Sequence, residues 1–207
     1  MYVTDRRAFG LEGPAAAARL LETIEHAARA GVDAVQIREK ELGGRALLEF
    51  AQEALRRAGR TKIVVNDRLD VALAAGAAGV HLGEESLSVA NAASFRSAGR
   101  APADFLIGRS CHSPEGAAQA EREGADYIFF GPVFATPSKA RFGPPQGLDK
   151  LASVCGSVRI PVVAIGGITV ENAGACIAAG AAGVAAIRLF QEATDLAGIV
   201  RGLKQTS

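Results

Sequence analysis

Ala30-Gly31-Val32-Asp33-Ala34-Val35-Gln36, Ala75-Gly76-Ala77-Ala78-Gly79-Val80-His81, Glu123-Gly124-Ala125-Asp126-Tyr127-Ile128-Phe129 and Ala179-Gly180-Ala181-Ala182-Gly183-Val184-Ala185 repeat one phrase. In each, an Ala-rich helical stretch stops at a glycine and a short apolar strand begins a few residues later, which is a helix-to-strand junction with a glycine C-cap. Further apolar runs at 2–4, 62–65, 105–107 and 161–165 are unalternating, largely β-branched and bounded by turn or polar residues, as buried parallel strands are. Eight strands are therefore expected. Stretches suited to helices lie between them at 14–29, 44–57, 69–75, 87–97, 114–122, 147–155, 170–178 and 193–204. Strict strand–helix alternation implies parallel strands joined by right-handed crossovers.

Two architectures satisfy that alternation, a closed barrel and an open doubly wound sheet. A dinucleotide-binding sheet carries Gly-x-Gly-x-x-Gly directly after its first strand, but here Asp5-Arg6-Arg7 follows it and the glycine pair comes late, at Gly166-Gly167. A late pair suits the phosphate site that barrels build after strands seven and eight. The expected fold is α/β, a single-domain (β/α)8 TIM barrel over residues 1–207.

Composition narrows the function. The 207 residues are 49% hydrophobic and 22% charged, an ordinary globular balance, with a formal net charge of +1. Acids and bases alternate along the chain, so nucleic acid and membrane surfaces are not expected partners. A bound anion has to be held by local groups. Cys111, Cys155 and Cys176 are scattered, without the spacing of a disulfide framework or a zinc site. Charges stand in residues 1–10 where a signal peptide needs an apolar run, and no apolar stretch approaches ~20 residues, which points to a cytoplasmic protein. Oligomeric state is left open, a homodimer included.

In a barrel the chemistry sits at the C-terminal strand ends. After strand two, alternation puts Gln36, Arg38 and Lys40 on one side and Ile37 and Glu39 on the other. Those donors suit a di- or triphosphate, though a solvated, salt-bridged strand end has the same letters. Asn66 and Asp67 after strand three offer an amide and a Mg2+ ligand, or Asp67 is a helix N-cap. His81 and Glu84-Glu85-Ser86 end strand four, with His81 read as a core residue or a catalyst. Strand five runs into Ser110-Cys111-His112-Ser113, where His112 is a general acid or base, or caps the helix signalled by Ser113-Pro114-Glu115. Cys111 is a weaker nucleophile candidate. The polar loop 135–147 carries Thr136, Ser138 and Lys139 and has the length of a binding loop. Gly166-Gly167 and the stretch Ala186-Ile187-Arg188 offer backbone amides and a cation to a phosphate.

As a set, Gln36-x-Arg38-x-Lys40, Asn66-Asp67, Gly79-Val80-His81-Leu82-Gly83, Gly131-Pro132-Val133-Phe134-x-Thr136-x-Ser138-Lys139 and Ile165-Gly166-Gly167-Ile168 resemble, in order and spacing, the thiamin phosphate synthase and thiazole tautomerase family over nearly the whole chain. The synthase resemblance implies that a pyrimidine methyl diphosphate ionises with Mg2+ assistance, a thiazole phosphate captures the cation through its nitrogen, and pyrophosphate leaves. It implies that Arg38, Lys40, Asn66, Lys139, Ser110, Thr136 and Ser138 bind the diphosphate, with Arg38 and Lys139 acting in catalysis, and that Gln36 sits near the pyrimidine. Asp67 is then a Mg2+ ligand, and Gly166, Gly167, Ile187 and Arg188 surround the thiazole phosphate. Ser86 stands where the synthase motif has a second Mg2+-binding aspartate, so either neighbouring glutamate, Glu84 or Glu85, is a substitute, with Glu85 taken as the candidate ligand. Gly108-Arg109-Ser110-Cys111-His112-Ser113 resembles the tautomerase branch instead, whose histidine, at the position of His112, shuttles a proton to isomerise a carboxythiazole phosphate without a cofactor. A non-catalytic phosphate-binding regulator is a third reading.

Overall fold

The computed structural model describes residues 1–136 and 144–206. Its strands are β1 (Tyr2–Val3), β2 (Ala34–Ile37), β3 (Lys62–Asn66), β4 (Gly79–Leu82), β5 (Leu106–Cys111), β6 (Tyr127–Phe130), β7 (Val162–Ile165) and β8 (Gly183–Ala185). The helices are α1 (Gly13–Arg29), α2 (Gly44–Ala58), α3 (Leu69–Ala75), α4 (Val89–Ser97), α5 (Pro114–Arg122), α6 (Gly147–Ser157), α7 (Val170–Ala178), α8 (Arg188–Gln191) and α9 (Leu196–Gln205). Strand order in the sheet follows chain order from β1 to β8, and the fold is a (β/α)8 barrel.

Two compact units make up the chain. The first, residues 1–81 with 187–201, holds the parallel pairs β1–β2, β2–β3 and β3–β4. Its helices form because apolar residues recur at helical spacing: Leu20, Ile24 and Ala27 of α1 and Leu47, Ala51 and Ala54 of α2 are buried. Each buried leucine or isoleucine contributes about 2 kcal/mol, so these faces set how the helices dock. The second unit, residues 82–186 with 202–207, holds β5–β6, β6–β7 and β7–β8. Three of its helix starts are fixed by side chains. Ser88 caps α4, Ser113 caps α5, and Thr169 and Asn172 close a capping box on α7.

Several boundaries move from their sequence expectation. The helix expected at 193–204 is α9, which starts later, at Leu196, with the Asp195 carboxylate accepting the Gly198 N–H, and a further short helix, α8, precedes the expected stretch. The cap of α5 is Ser113, not His112. The fifth strand extends to Cys111 rather than ending at 107, since its polar residues still pair with β6, Ser110 opposite Phe129 and Cys111 opposite Phe130. The first strand stops at Val3, and a 3-10 helix, Arg6–Phe9, follows under an Asp5 cap. Asp67 is not the N-cap of α3; Arg68 holds that position.

Candidate active site

In the first unit, burial at the β2 end alternates only beyond Ile37. Ile37 and Glu39 are buried, Arg38 is half-buried and Lys40 exposed. Gln36 is 2% exposed, and its Nε2 is a buried donor with no hydrogen-bond partner. A buried amide donor without an acceptor is rare in proteins. Glu39 is equally buried, and desolvation raises its carboxyl above the usual range against the opposing hydrogen bonds from Thr4 and Arg6.

At the β3 end, Asn66 Nδ2 donates to Asp67 Oδ2 at 2.7 Å. Asp67 is the one non-glycine residue with positive φ, 61°, among the described residues, and its N–H donates to the His81 carbonyl at 2.8 Å. Aspartate tolerates that conformation better than most residues, and such outliers concentrate at functional sites. His81 is 1% exposed and belongs to the core. Ile187 is the N-cap of α8, and Arg188, its first residue, is exposed.

In the second unit, Ser86 Oγ accepts the Gly83 N–H at 2.8 Å, while Glu84 and Glu85 are exposed. Glu84 Oε1 stands 3.7 Å from His112 Nε2, and His112 Nδ1 stands 2.6 Å from the Gly131 carbonyl oxygen. Ser110 is half-buried. Cys111 is buried and its thiol is pushed up to about 11, chiefly by desolvation, which removes it as a nucleophile near neutral pH.

The segment after β6 lies against the β7 turn. The Val133 N–H donates to the Ile165 carbonyl at 2.9 Å and the Phe134 N–H to that of Gly166 at 3.0 Å. A Cβ on Gly131 would stand 2.0 Å from the Ile165 oxygen, one on Gly166 2.5 Å from Pro132 Cβ, and one on Gly167 2.6 Å from the Ala135 oxygen. Gly166 and Gly167 also have φ of 97° and 66°. The glycine pair is thus required by a close backbone approach as well as by its own turn. Thr136 is half-buried, and Ser138 and Lys139 lie outside the described residues.

The sequence-expected residues therefore fall into two sets, Gln36, Arg38, Lys40, Asn66, Asp67, Ile187 and Arg188 in the first unit, and Glu85, Ser110, His112, Thr136, Gly166 and Gly167 in the second. Sequence reasoning did not single out Glu39 with Thr4 or Glu84 beside His112, and it quoted Gly131 only within a motif, without the close approach to Ile165 that requires it.

No group of three or more His, Cys, Asp or Glu side chains suited to a metal occurs among the described residues. Asp67 oriented by Asn66 does fit Mg2+, which keeps several waters and uses one or two carboxylates together with substrate phosphates.

A (β/α)8 barrel with amides, cations and a carboxylate at its strand ends is an enzyme scaffold of the phosphate-handling kind. The family model described as thiamine monophosphate synthase matches residues 1–190, and the chain belongs to that family. It is 51% identical over 170 residues to a putative thiamine-phosphate synthase of Geobacter sulfurreducens, covering 81% of this chain and 78% of that one. It is 42% identical over 189 residues to the thiamine-phosphate synthase of Syntrophomonas wolfei, covering 90% and 88%. Among solved structures, the thiamine phosphate pyrophosphorylase of Pyrococcus furiosus superposes with a TM-score of 0.82 at 33% identity, covering 99% of this chain and 93% of that one.

Proposed function

We propose that the chain is a thiamine-phosphate synthase, a transferase that joins hydroxymethylpyrimidine diphosphate to a thiazole phosphate and releases pyrophosphate. The observation that carries this reading is the β2 end: a buried Gln36 amide nitrogen without a hydrogen-bond partner, suited to a heterocycle acceptor, followed in the chain by a half-buried Arg38 and an exposed Lys40. In the proposed reaction the bond between the pyrimidine methylene carbon and the diphosphate oxygen breaks, the thiazole nitrogen supplies the electron pair for the new C–N bond, and the bridging oxygen leaves with pyrophosphate. Arg38, Lys40, Asn66 and Lys139, with Ser110, Thr136 and Ser138, bind the diphosphate and balance the charge its leaving oxygen gains, the preorganised stabilisation such a step needs. Gly166, Gly167, Ile187 and Arg188 hold the thiazole phosphate. Asp67 and Glu85 are the proposed Mg2+ ligands, and the ion when bound neutralises departing charge.

One observation favours a second reading, isomerisation of a carboxythiazole phosphate: the His112 imidazole is held on Gly131 with Glu84 near its other nitrogen. No described helix is long and apolar enough to cross a membrane; a cytoplasmic location, a single domain and a homodimer are parts of the proposal. The test is a coupled assay with both substrates and Mg2+, run beside a tautomerisation assay. Pyrophosphate release supports the synthase, whereas isomerisation without release supports the second reading.

A further inference from the structure

Thr4 and Glu39 are buried polar residues that the proposed reaction does not use, at 0% and 2% exposure. The Thr4 N–H donates to the Gln36 carbonyl at 2.9 Å, continuing the β1–β2 ladder by one bond. The Arg38 N–H would next seek a main-chain acceptor on β1, but the chain turns away into the 3-10 helix, and the Thr4 hydroxyl accepts that N–H at 2.9 Å instead. The same hydroxyl donates to Glu39 Oε1. The other carboxylate oxygen accepts the Arg6 N–H at 3.0 Å, with Arg6 Nε at 3.9 Å. The peg they lean on is itself anchored, since Gln191 accepts the Asp5 N–H at 3.2 Å and donates to the Asp5 carbonyl at 2.9 Å.

We infer that Thr4 and Glu39 are positioning residues for diphosphate binding: by pinning the backbone of Arg38 and the side chain of Glu39 to the β1 end, they aim Arg38 to the side opposite Glu39. Because successive side chains of an extended chain point to opposite sides, fixing Glu39 inward turns Arg38 to the other side, and Lys40 follows it in a turn closed by the Leu42 N–H on the Glu39 carbonyl at 3.1 Å. A buried carboxylate costs free energy unless it is hydrogen-bonded, and here its bonds run to the Thr4 hydroxyl and to the Arg6 N–H at the start of the 3-10 helix. This inference rests on the proposed diphosphate role of Arg38 and Lys40.

Thr4→Val keeps the side-chain shape and removes the hydroxyl, Thr4→Ser keeps the hydroxyl, and Glu39→Gln leaves one acceptor where two are used. Inorganic pyrophosphate is titrated calorimetrically with Mg2+ into the full chain and each variant, at a temperature well below every melting midpoint. Thr4→Val is expected to weaken pyrophosphate by about tenfold or more and Glu39→Gln by at least about threefold, with Thr4→Ser within about twofold of the parent. In steady state, Thr4→Val should raise KM for the pyrimidine diphosphate and leave that for the thiazole phosphate within about twofold. A lowered melting temperature with unchanged pyrophosphate affinity overturns the positioning role and leaves Thr4 purely structural. Should Thr4→Val not fold, parent-like affinity in Glu39→Gln overturns it equally. A parent chain that does not bind pyrophosphate at all removes the diphosphate reading itself, and this inference with it.

Discussion

His112 Nδ1 lies 2.6 Å from the carbonyl oxygen of Gly131, an atom that can only accept. Nδ1 therefore carries the proton, and Nε2, with Glu84 3.7 Å away, is the nitrogen that exchanges one. His112→Ala is expected to abolish any isomerisation of carboxythiazole phosphate, a loss of ~10²-fold or more. Pyrophosphate release, whose chemistry is electrostatic, should fall by less than about tenfold. Measuring both rates on the one variant separates the readings; an unchanged isomerisation rate excludes His112 as the shuttle.

Arg38→Ala should raise KM for the pyrimidine diphosphate by more than about tenfold, because a charge-assisted, forked contact is lost. Arg38→Lys should recover only part of it, since an ammonium cannot reproduce the planar fork. Lys139→Ala should weaken pyrophosphate to a similar degree. Parent-like titrations for all three would remove the diphosphate assignment.

Gly166→Ala places a Cβ 2.5 Å from Pro132 at a φ of 97°. Destabilisation of about 2–4 kcal/mol is expected, a fall in melting temperature of roughly 5–15 °C. Gly156→Ala, where the added Cβ meets nothing within 4 Å, is the control that should stay close to the parent. Equal melting curves for the two would contradict the close approach of the two loops.

Alkaline stability should depend on Cys111. Burial raises its thiol from 9.0 to about 11, so between those values the folded chain binds a proton that the unfolded chain has released. Stability then falls as pH rises through that window, by roughly 2–3 kcal/mol in all, and is unaffected below it. Denaturant titrations at pH 8 and pH 11 should show this slope in the parent and a flatter one in Cys111→Ala. The same slope in both would assign the alkaline loss to other groups.

Much of the barrel was legible because its signals are local. Glycines at or one residue beyond the helix C-cap, Gly31, Gly76, Gly124 and Gly180, mark helix ends whatever the rest of the chain does, and unalternating apolar runs mark buried parallel strands. The fifth strand was read short because Arg109 and Ser110 look like loop residues, and only pairing with β6 makes them strand. The burial of Glu39 beside a half-buried Arg38 agrees with alternation, whereas the partner of Glu39 does not follow from it. Thr4 is 35 positions away, and nothing in either residue's neighbourhood announces a bond set by strand adjacency. Gly166 and Gly167 were read for a phosphate, and their second constraint, the approach of Pro132, Phe134 and Ala135, is likewise tertiary.

The most direct measurement is the stoichiometry of the joining reaction. With hydroxymethylpyrimidine diphosphate, thiazole phosphate and Mg2+, the chain should form one pyrophosphate for each thiamin phosphate, and neither product should appear when one substrate or the metal is withheld. Pyrophosphate formation no faster than in the absence of protein would contradict the synthase assignment.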